Sequence, residues 1–235
     1  MSRQLDQIAS AAAAHNWSFS QALESLTELE LESRNHNAVE RRFRLSRLQA
    51  RHSIDGFNFK HHKSRMEIKA RVVRLLDLEF IDKGTSVVVI GNPGVGKTLL
   101  AKIIGWRACQ ANKRVLFTTA ADMLNHLNAS QIDHSLIRKL KLYTEPALLV
   151  IDELGYLSLD QQTSNLFYQV VSARHSQKRS TIITTNTTFS DWGNVLHNTT
   201  IAAAIADRLV ENSEIFLLGG PSIRNPKQNS NPPVE

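Results

Sequence analysis

From residue 87 onward the chain alternates between two hydrophobic patterns. Short, mainly apolar runs occur at 87–90, 115–118, 148–151, 181–184 and 215–218. Such runs suit strands covered on both faces, because successive side chains of a strand point to opposite sides of its sheet. Between them, at 97–111, 121–128, 136–143, 161–174 and 201–211, the pattern predicts helices. Regular alternation of this kind predicts an α/β fold, a parallel five-stranded sheet between helices.

The first 55 residues read as helical instead. Ser18 and Gln21 have the spacing of a capping box, and Ala22, Leu23, Leu26, Leu29 and Leu31 form an apolar side. A second, basic helix is predicted over 37–52, with Val39, Phe43 and Leu48 buried. Ser53-Ile54-Asp55-Gly56 reads as a turn. A third helix is predicted over 63–82, packed through Met66, Ala70, Val73, Leu76 and Phe80 and ended by Lys83-Gly84. The resulting division is a small helical module over 1–55, an α/β core over 56–224, and a tail over 225–235. The tail is rich in Pro, Asn and Ser and is expected to be disordered.

Charge sharpens this division. The chain of 235 residues carries a formal +6 at neutral pH. Residues 34–71 alone hold eleven Lys or Arg against Glu40, Asp55 and Glu67, so the rest of the chain is slightly acidic. The segment is either a solvated helix face or a surface that follows phosphates. Arg41, Arg42, Arg44, Arg47 and Arg51 are its densest part, and Arg44, Arg47 and Arg51 are spaced to share one helical face. No run of eighteen apolar residues suggests a membrane span. Asp6 and the short alanine run at 11–14 do not make a signal peptide. A single cysteine, Cys109, allows no internal disulfide, and the expected location is the cytoplasm. The nine histidines lack metal-ligand spacing.

Two segments carry chemistry. Gly91-Asn92-Pro93-Gly94-Val95-Gly96-Lys97-Thr98, with Leu99 after it, follows an apolar strand and opens a helix. That string has the form of a phosphate loop. Its glycines let the backbone wrap phosphate oxygens, Lys97 pairs with the β and γ phosphates, and the Thr98 hydroxyl is offered to Mg²⁺. Leu148-Leu149-Val150-Ile151 then delivers Asp152 and Glu153 to the carboxyl end of a buried strand, where ligands of open α/β sheets collect. Asp152 is expected to hold Mg²⁺ and Glu153 to orient or deprotonate a water. Asn186 ends the next strand, either beside the γ-phosphate or as part of a plain turn. Arg208 is either a surface ion-pair residue or one that reaches a neighbouring subunit's nucleotide. ATP and Mg²⁺ are therefore the expected ligands, and an ATPase the expected enzyme.

The order of phosphate loop, Asp152-Glu153, Thr185-Asn186 and Asp207-Arg208-Leu209 resembles the AAA+ ATPases. Ile151-Asp152-Glu153-Leu154-Gly155-Tyr156-Leu157, the run Phe167 to Arg174, Phe189-Ser190-Asp191-Trp192-Gly193 and Ala202 to Leu209 resemble the IstB/DnaC branch, and within it the IstB-like transposition helpers. The resemblance covers nearly the whole chain. It implies an ATP-dependent homo-oligomer on double-stranded DNA that recruits a transposase, with the basic N-terminal module touching DNA. It also implies Asn186 as the sensor and Arg208 as an arginine acting in trans. Phe57 and Phe59 match an aromatic pair, placed either near adenine or in the core. Asn92 departs from a frequent proline. No room remains for a separate helical lid, which leaves Arg224 as the nearest stand-in for its arginine. A DnaC-like helicase loader is the alternative; the basic 41–51 segment favours the transposition helper. A metabolic kinase fits Asp152-Glu153 and Asn186 poorly.

Overall fold

The computed structural model describes residues 2–155 and 159–223; Arg224 and the 225–235 tail lie outside the described residues. The chain divides into two compact units, Met1–Arg42 and Phe43–Glu235.

The first unit is helical. Helix α1 spans Ser2–His15, and Asn16, in the left-handed region at φ 50°, ends it. Helix α2 (Phe19–Ser46) begins at the expected capping box: the Ser18 amide donates to Gln21 Oε1 (2.8 Å) and the Gln21 amide to Ser18 Oγ (3.3 Å). The expected separation into two helices near residue 37 does not occur. Nothing between Arg34 and Asn37 removes an amide or forces a turn, so α2 continues for 28 residues. The apolar side is also narrower than expected: Ala22, Leu26 and Leu29 are half-buried, whereas Leu23 and Leu31 are exposed.

The end of α2 corrects a second expectation. Ser46 Oγ donates to the Phe43 carbonyl (2.7 Å) and accepts the Leu48 amide (3.3 Å), closing the last turn. Arg47 and Gln49 then adopt φ 61° and 67°. The predicted helix to residue 52 therefore stops at Ser46, and Arg44, Arg47 and Arg51 do not share a helical face. Leu48 is fully buried as predicted, and it packs into the second unit's core beside Gly105, where an added Cβ would lie 3.0 Å from it.

The next helix of the second unit is α3 (Lys63–Leu75). The long helix predicted over 63–82 breaks after it, because Leu78 takes φ 64° before the single turn α4 (Glu79–Asp82). Its buried face is Arg65, Ile68, Val72 and Leu75, while Met66 and Val73 are exposed. Both sets satisfy three- and four-residue spacing, and the packing partner rather than the pattern chooses between them.

Five strands follow: β1 (Ser86–Gly91), β2 (Val115–Thr119), β3 (Leu148–Leu154), β4 (Ser180–Thr185) and β5 (Ser213–Leu218). They form one parallel sheet in the order β2-β3-β4-β1-β5. Helices α5 (Lys97–Gln110), α6 (Ala120–Ile132), α7 (Leu136–Thr144), α8 (Gln161–Ser176), α9 (Trp192–Val195) and α10 (Thr199–Val210) complete the unit. Alternate residues of β3 feed two cores. Leu148 and Val150 join the cluster with α3 and α5; Leu149 and Ile151 join the cluster with α6, α8 and α10. A parallel sheet buried on both faces directs its strand ends, and the loops after them, to one edge.

Between α8 and β4 lies a buried cation that the sequence did not single out for a role. Arg174 is 1% exposed and donates to the carbonyls of Tyr143 and Pro146 (2.9 Å each), to Ser180 O and to Thr181 Oγ1 (2.9 Å). Burial lowers its pKa to about 9, helped by Arg179, yet the guanidinium stays protonated at neutral pH and keeps its donors. It fastens the α7–β3 turn to the start of β4.

Candidate nucleotide-binding and hydrolysis site

Strand β1 carries the chain to Gly91, and α5 begins at Lys97, so residues 91–96 must turn tightly. Gly94 and Gly96 do so at φ 80° and 87°, a region closed to most side chains. The Lys97 side chain is buried and donates through Nζ to the carbonyls of Gly91 (2.6 Å) and Asn92 (2.9 Å). The ammonium thus lies inside the loop, where a phosphate would sit.

Thr98, just past the loop, is hydrogen-bonded to β3. Thr98 Oγ1 donates to Asp152 Oδ1 (3.0 Å), and Thr184 Oγ1, from β4, donates to the same oxygen. Thr184 Oγ1 also accepts the Glu153 amide (3.0 Å). The β3–β4 register shifts between Ile151 and Leu154, and Glu153 stands at this irregularity with φ 63°. Asp152 is therefore buried against the loop while the next residue turns outward. Glu153 lines a cavity of about 190 Å³ with Pro93, Gly94, Gly96, Lys97, Thr98, Leu99, Thr184 and Ile223. Thr184 was expected only as part of a strand; a threonine facing inward from a fully buried strand is the signal that marks it.

Asn186 stands just past the end of β4. Its Oδ1 is buried without a hydrogen-bond partner among the described residues, and an added Cβ on Gly155 would come within 2.9 Å of it. A buried acceptor left unpaired costs about 1–3 kcal/mol, which fits a group that waits for a ligand or water. Arg208 does not line the cavity: on α10 its Nη1 donates to the Ala204 carbonyl (2.8 Å) and its guanidinium lies 4.9 Å from the Tyr168 ring. Phe57 packs in the core, edge-on to Phe59 at 4.9 Å.

The basic residues separate into groups. Arg41 and Arg44 are exposed on α2, and Arg42 is half-buried. Arg47 lines a second cavity of about 370 Å³ with Gln49, Lys102, Asp122, Asp152 and Glu153. Arg51 stacks 4.7 Å from the Phe43 ring and 5.3 Å from Trp106.

The donor set suits Mg²⁺. A hydroxyl and a carboxylate are hard oxygen ligands, and Mg²⁺ commonly keeps several waters and takes its remaining oxygens from phosphate. Among the described residues no group of three or more His, Cys, Asp or Glu offers a protein cage for another metal.

The family model for IstB-like ATP binding proteins matches residues 1–231. The chain belongs to that family. IstB-like relatives include a protein named for ATP binding in insertion sequence IS5376 of Geobacillus stearothermophilus, 35% identical over 95% of this chain and 88% of its own length. A counterpart from IS21 of Pseudomonas aeruginosa is 30% identical over 95% and 83%. Among solved structures, the DnaC helicase loader superposes with TM-score 0.59 at 21% identity, covering 74% of this chain and 96% of that one. DnaI gives 0.60 at 22%, covering 73% and 90%. At these identities the likeness is one of fold, and the fold is that of the AAA+ P-loop proteins. Among the described residues no helix is long and apolar enough to cross a membrane.

Proposed function

We propose that this IstB-like chain hydrolyses Mg-ATP, assembles with copies of itself on double-stranded DNA in the cytoplasm, and assists a transposase in DNA transposition. The observation that supports hydrolysis most directly is the hydrogen-bonded chain Thr98–Asp152–Thr184–Glu153, which ties the phosphate loop to the carboxylate pair. Family membership and relatives named for insertion sequences support the transposition setting.

Residues 91–99 bind the phosphates, with Lys97 as the fixed cation and the helix N-terminus adding a favourable dipole. Thr98 and Asp152 hold Mg²⁺, which supplies positive charge to the phosphate oxygens. Glu153, exposed beside Asp152, takes the proton of the attacking water. Asn186 holds that water or the γ-phosphate through its side-chain amide. Arg208, which does not line the cavity of its own chain, acts on the nucleotide of an adjoining copy. Of the five arginines expected to face DNA, the exposed Arg41, Arg44 and Arg47 make the main contacts with its backbone, while Arg42, half-buried, and Arg51, stacked on Phe43 and Trp106, contribute less.

Glu153→Gln tests the catalytic half. The amide keeps the shape and hydrogen bonding but cannot take a proton. Mg-ATP binding should stay near wild type while turnover falls by about 10²–10⁴-fold, the usual contribution of a general base. Wild-type turnover in this variant would overturn the assignment. Trapped in its ATP-bound form, the variant should also hold duplex DNA and co-purify with transposase. Association with a replicative helicase instead would favour the loader reading.

A further inference from the structure

Arg65 is an unusual residue to find where it is. It sits in the first turn of α3, which His62 caps through Nδ1, and it is 1% exposed. Its pKa is lowered by burial alone, and no carboxylate among the described residues pairs with it. Nη1 donates to the Asn58 carbonyl (2.9 Å), Nη2 donates to the Val95 carbonyl, and the guanidinium lies 4.8 Å from the Phe57 ring. Nε is buried with no hydrogen-bond partner among the described residues. A buried cation held only by carbonyls is costly to folding, so its value has to lie elsewhere.

That value follows from the peptide plane. In a trans peptide the carbonyl of one residue and the amide of the next point to opposite sides. Val95 C=O is tied outward to Arg65, so the Gly96 N–H must point inward, toward the concave side of the loop. The preceding peptide is tied in the same way: Gly94 C=O accepts the Ile223 amide (3.0 Å), which turns the Val95 N–H inward as well. The glycines agree with this geometry. An added Cβ on Gly96 would meet Arg65 Nη2 at 2.9 Å, and one on Gly94 would meet Ser222 Oγ at 2.0 Å. The space beside Gly96 is thus filled by Arg65 and that beside Gly94 by Ser222, which leaves the Val95 and Gly96 amides to the inner face. Successive inward N–H groups make an anion-binding concavity.

We propose that Arg65 is a positioning residue for the phosphate loop, fixing the Val95–Gly96 peptide so that two adjacent amides are aimed at the nucleotide phosphates before they arrive, with the Ile223 amide as its partner on the Gly94 carbonyl. This rests on the reading of residues 91–98 as a Mg-ATP site. Preorganised donors cost no rearrangement on binding, which is how a residue that touches no phosphate raises affinity for one.

Calorimetric titration of Mg-ATP into wild type, Arg65→Met, Arg65→Lys and Ile223→Pro, with thermal unfolding of each, tests it. Methionine removes a buried charge that has no carboxylate partner among the described residues, a gain that offsets the loss of the two carbonyl hydrogen bonds. The Arg65→Met variant should therefore keep or raise its Tm while its Kd for Mg-ATP rises about tenfold or more. A merely structural arginine would give the reverse, a lower Tm with unchanged affinity of the folded protein. Arg65→Lys keeps the charge but cannot fork to both carbonyls, and should fall between. Ile223→Pro deletes the Ile223 N–H at an exposed residue and should weaken binding severalfold with little change in Tm. It and Arg65→Lys carry the test if the methionine variant does not fold. Wild-type binding together with Arg65 variants within twofold of it overturns this proposal alone. Wild type that fails to bind Mg-ATP overturns the site reading and this proposal with it.

Discussion

At the residue scale, one hydroxyl holds two carboxyl-bearing residues of the candidate site. Thr184 Oγ1 donates to Asp152 and accepts from the Glu153 amide, so it sets both carboxyl-bearing residues from the neighbouring strand. Thr184→Val keeps the volume and removes both bonds. The Glu153 amide would lose its acceptor, and Asp152 would keep its bond from Thr98. Turnover should drop about tenfold, equivalent to about 1.4 kcal/mol, with a smaller effect on Mg-ATP binding, and Thr184→Ser should restore it. Steady-state rates equal to wild type in the valine variant would show that the carboxylates are set by other contacts. The phosphate loop and Asp152-Glu153 were legible in the sequence because the chemistry demands fixed residue types at fixed spacing. Arg65 and Thr184 were not. Arg65 was one more cation in a basic run, and only the close approach of α3 to the loop separates it from its solvated neighbours.

Elements were read well where the pattern had one interpretation and poorly where it had two. The five strands are short runs that tolerate no alternative, and the sheet is as expected. The N-terminal helices were misdivided because the break depends on left-handed residues that are not glycine. Arg47, Gln49 and Leu78 all take positive φ, and nothing in their side chains announces it. Tertiary anchoring stabilises the turn at 47–49: Leu48 is fully buried against Gly105 of α5 and packs in the cluster shared with α3. The segment after α2 is thereby fastened to the helix that carries Lys97 and Thr98. Leu48→Ala should cost about 2–5 kcal/mol of unfolding free energy, the range for deleting a buried leucine. Chemical denaturation reads this directly. A loss below about 0.5 kcal/mol, the size of an ordinary surface substitution, would mean that the turn is held without Leu48.

For the whole molecule, the open matter is how a basic surface meets a phosphate backbone, and the end of α2 at Ser46 changes the expected answer. Arg41 and Arg44 are three residues apart and both exposed, so they share a helical face. Arg47 is exposed beyond the helix end; Arg51 is exposed too, but its guanidinium is stacked on Phe43 and Trp106, which restrains it. Arg42 is half-buried. The phosphate contacts should therefore fall mainly on Arg41, Arg44 and Arg47. Each phosphate neutralised on duplex DNA contributes about −0.9 to the slope of log affinity against log salt. For one bound copy, Arg41→Ala with Arg44→Ala should make that slope shallower by about two, and Arg47→Ala by about one, while Arg51→Ala should change it little. Mg-ATP should strengthen wild-type binding, because an assembled homo-oligomer lines up many such surfaces and makes each further contact intramolecular. The measurement is duplex affinity across a salt series for these variants, in the Glu153→Gln background so that nucleotide persists. An unchanged slope in all of them would place the DNA surface elsewhere on the chain. A slope that responds to Arg51 as strongly as to Arg44 would place Arg51 among the phosphate contacts and overturn this division of the arginines.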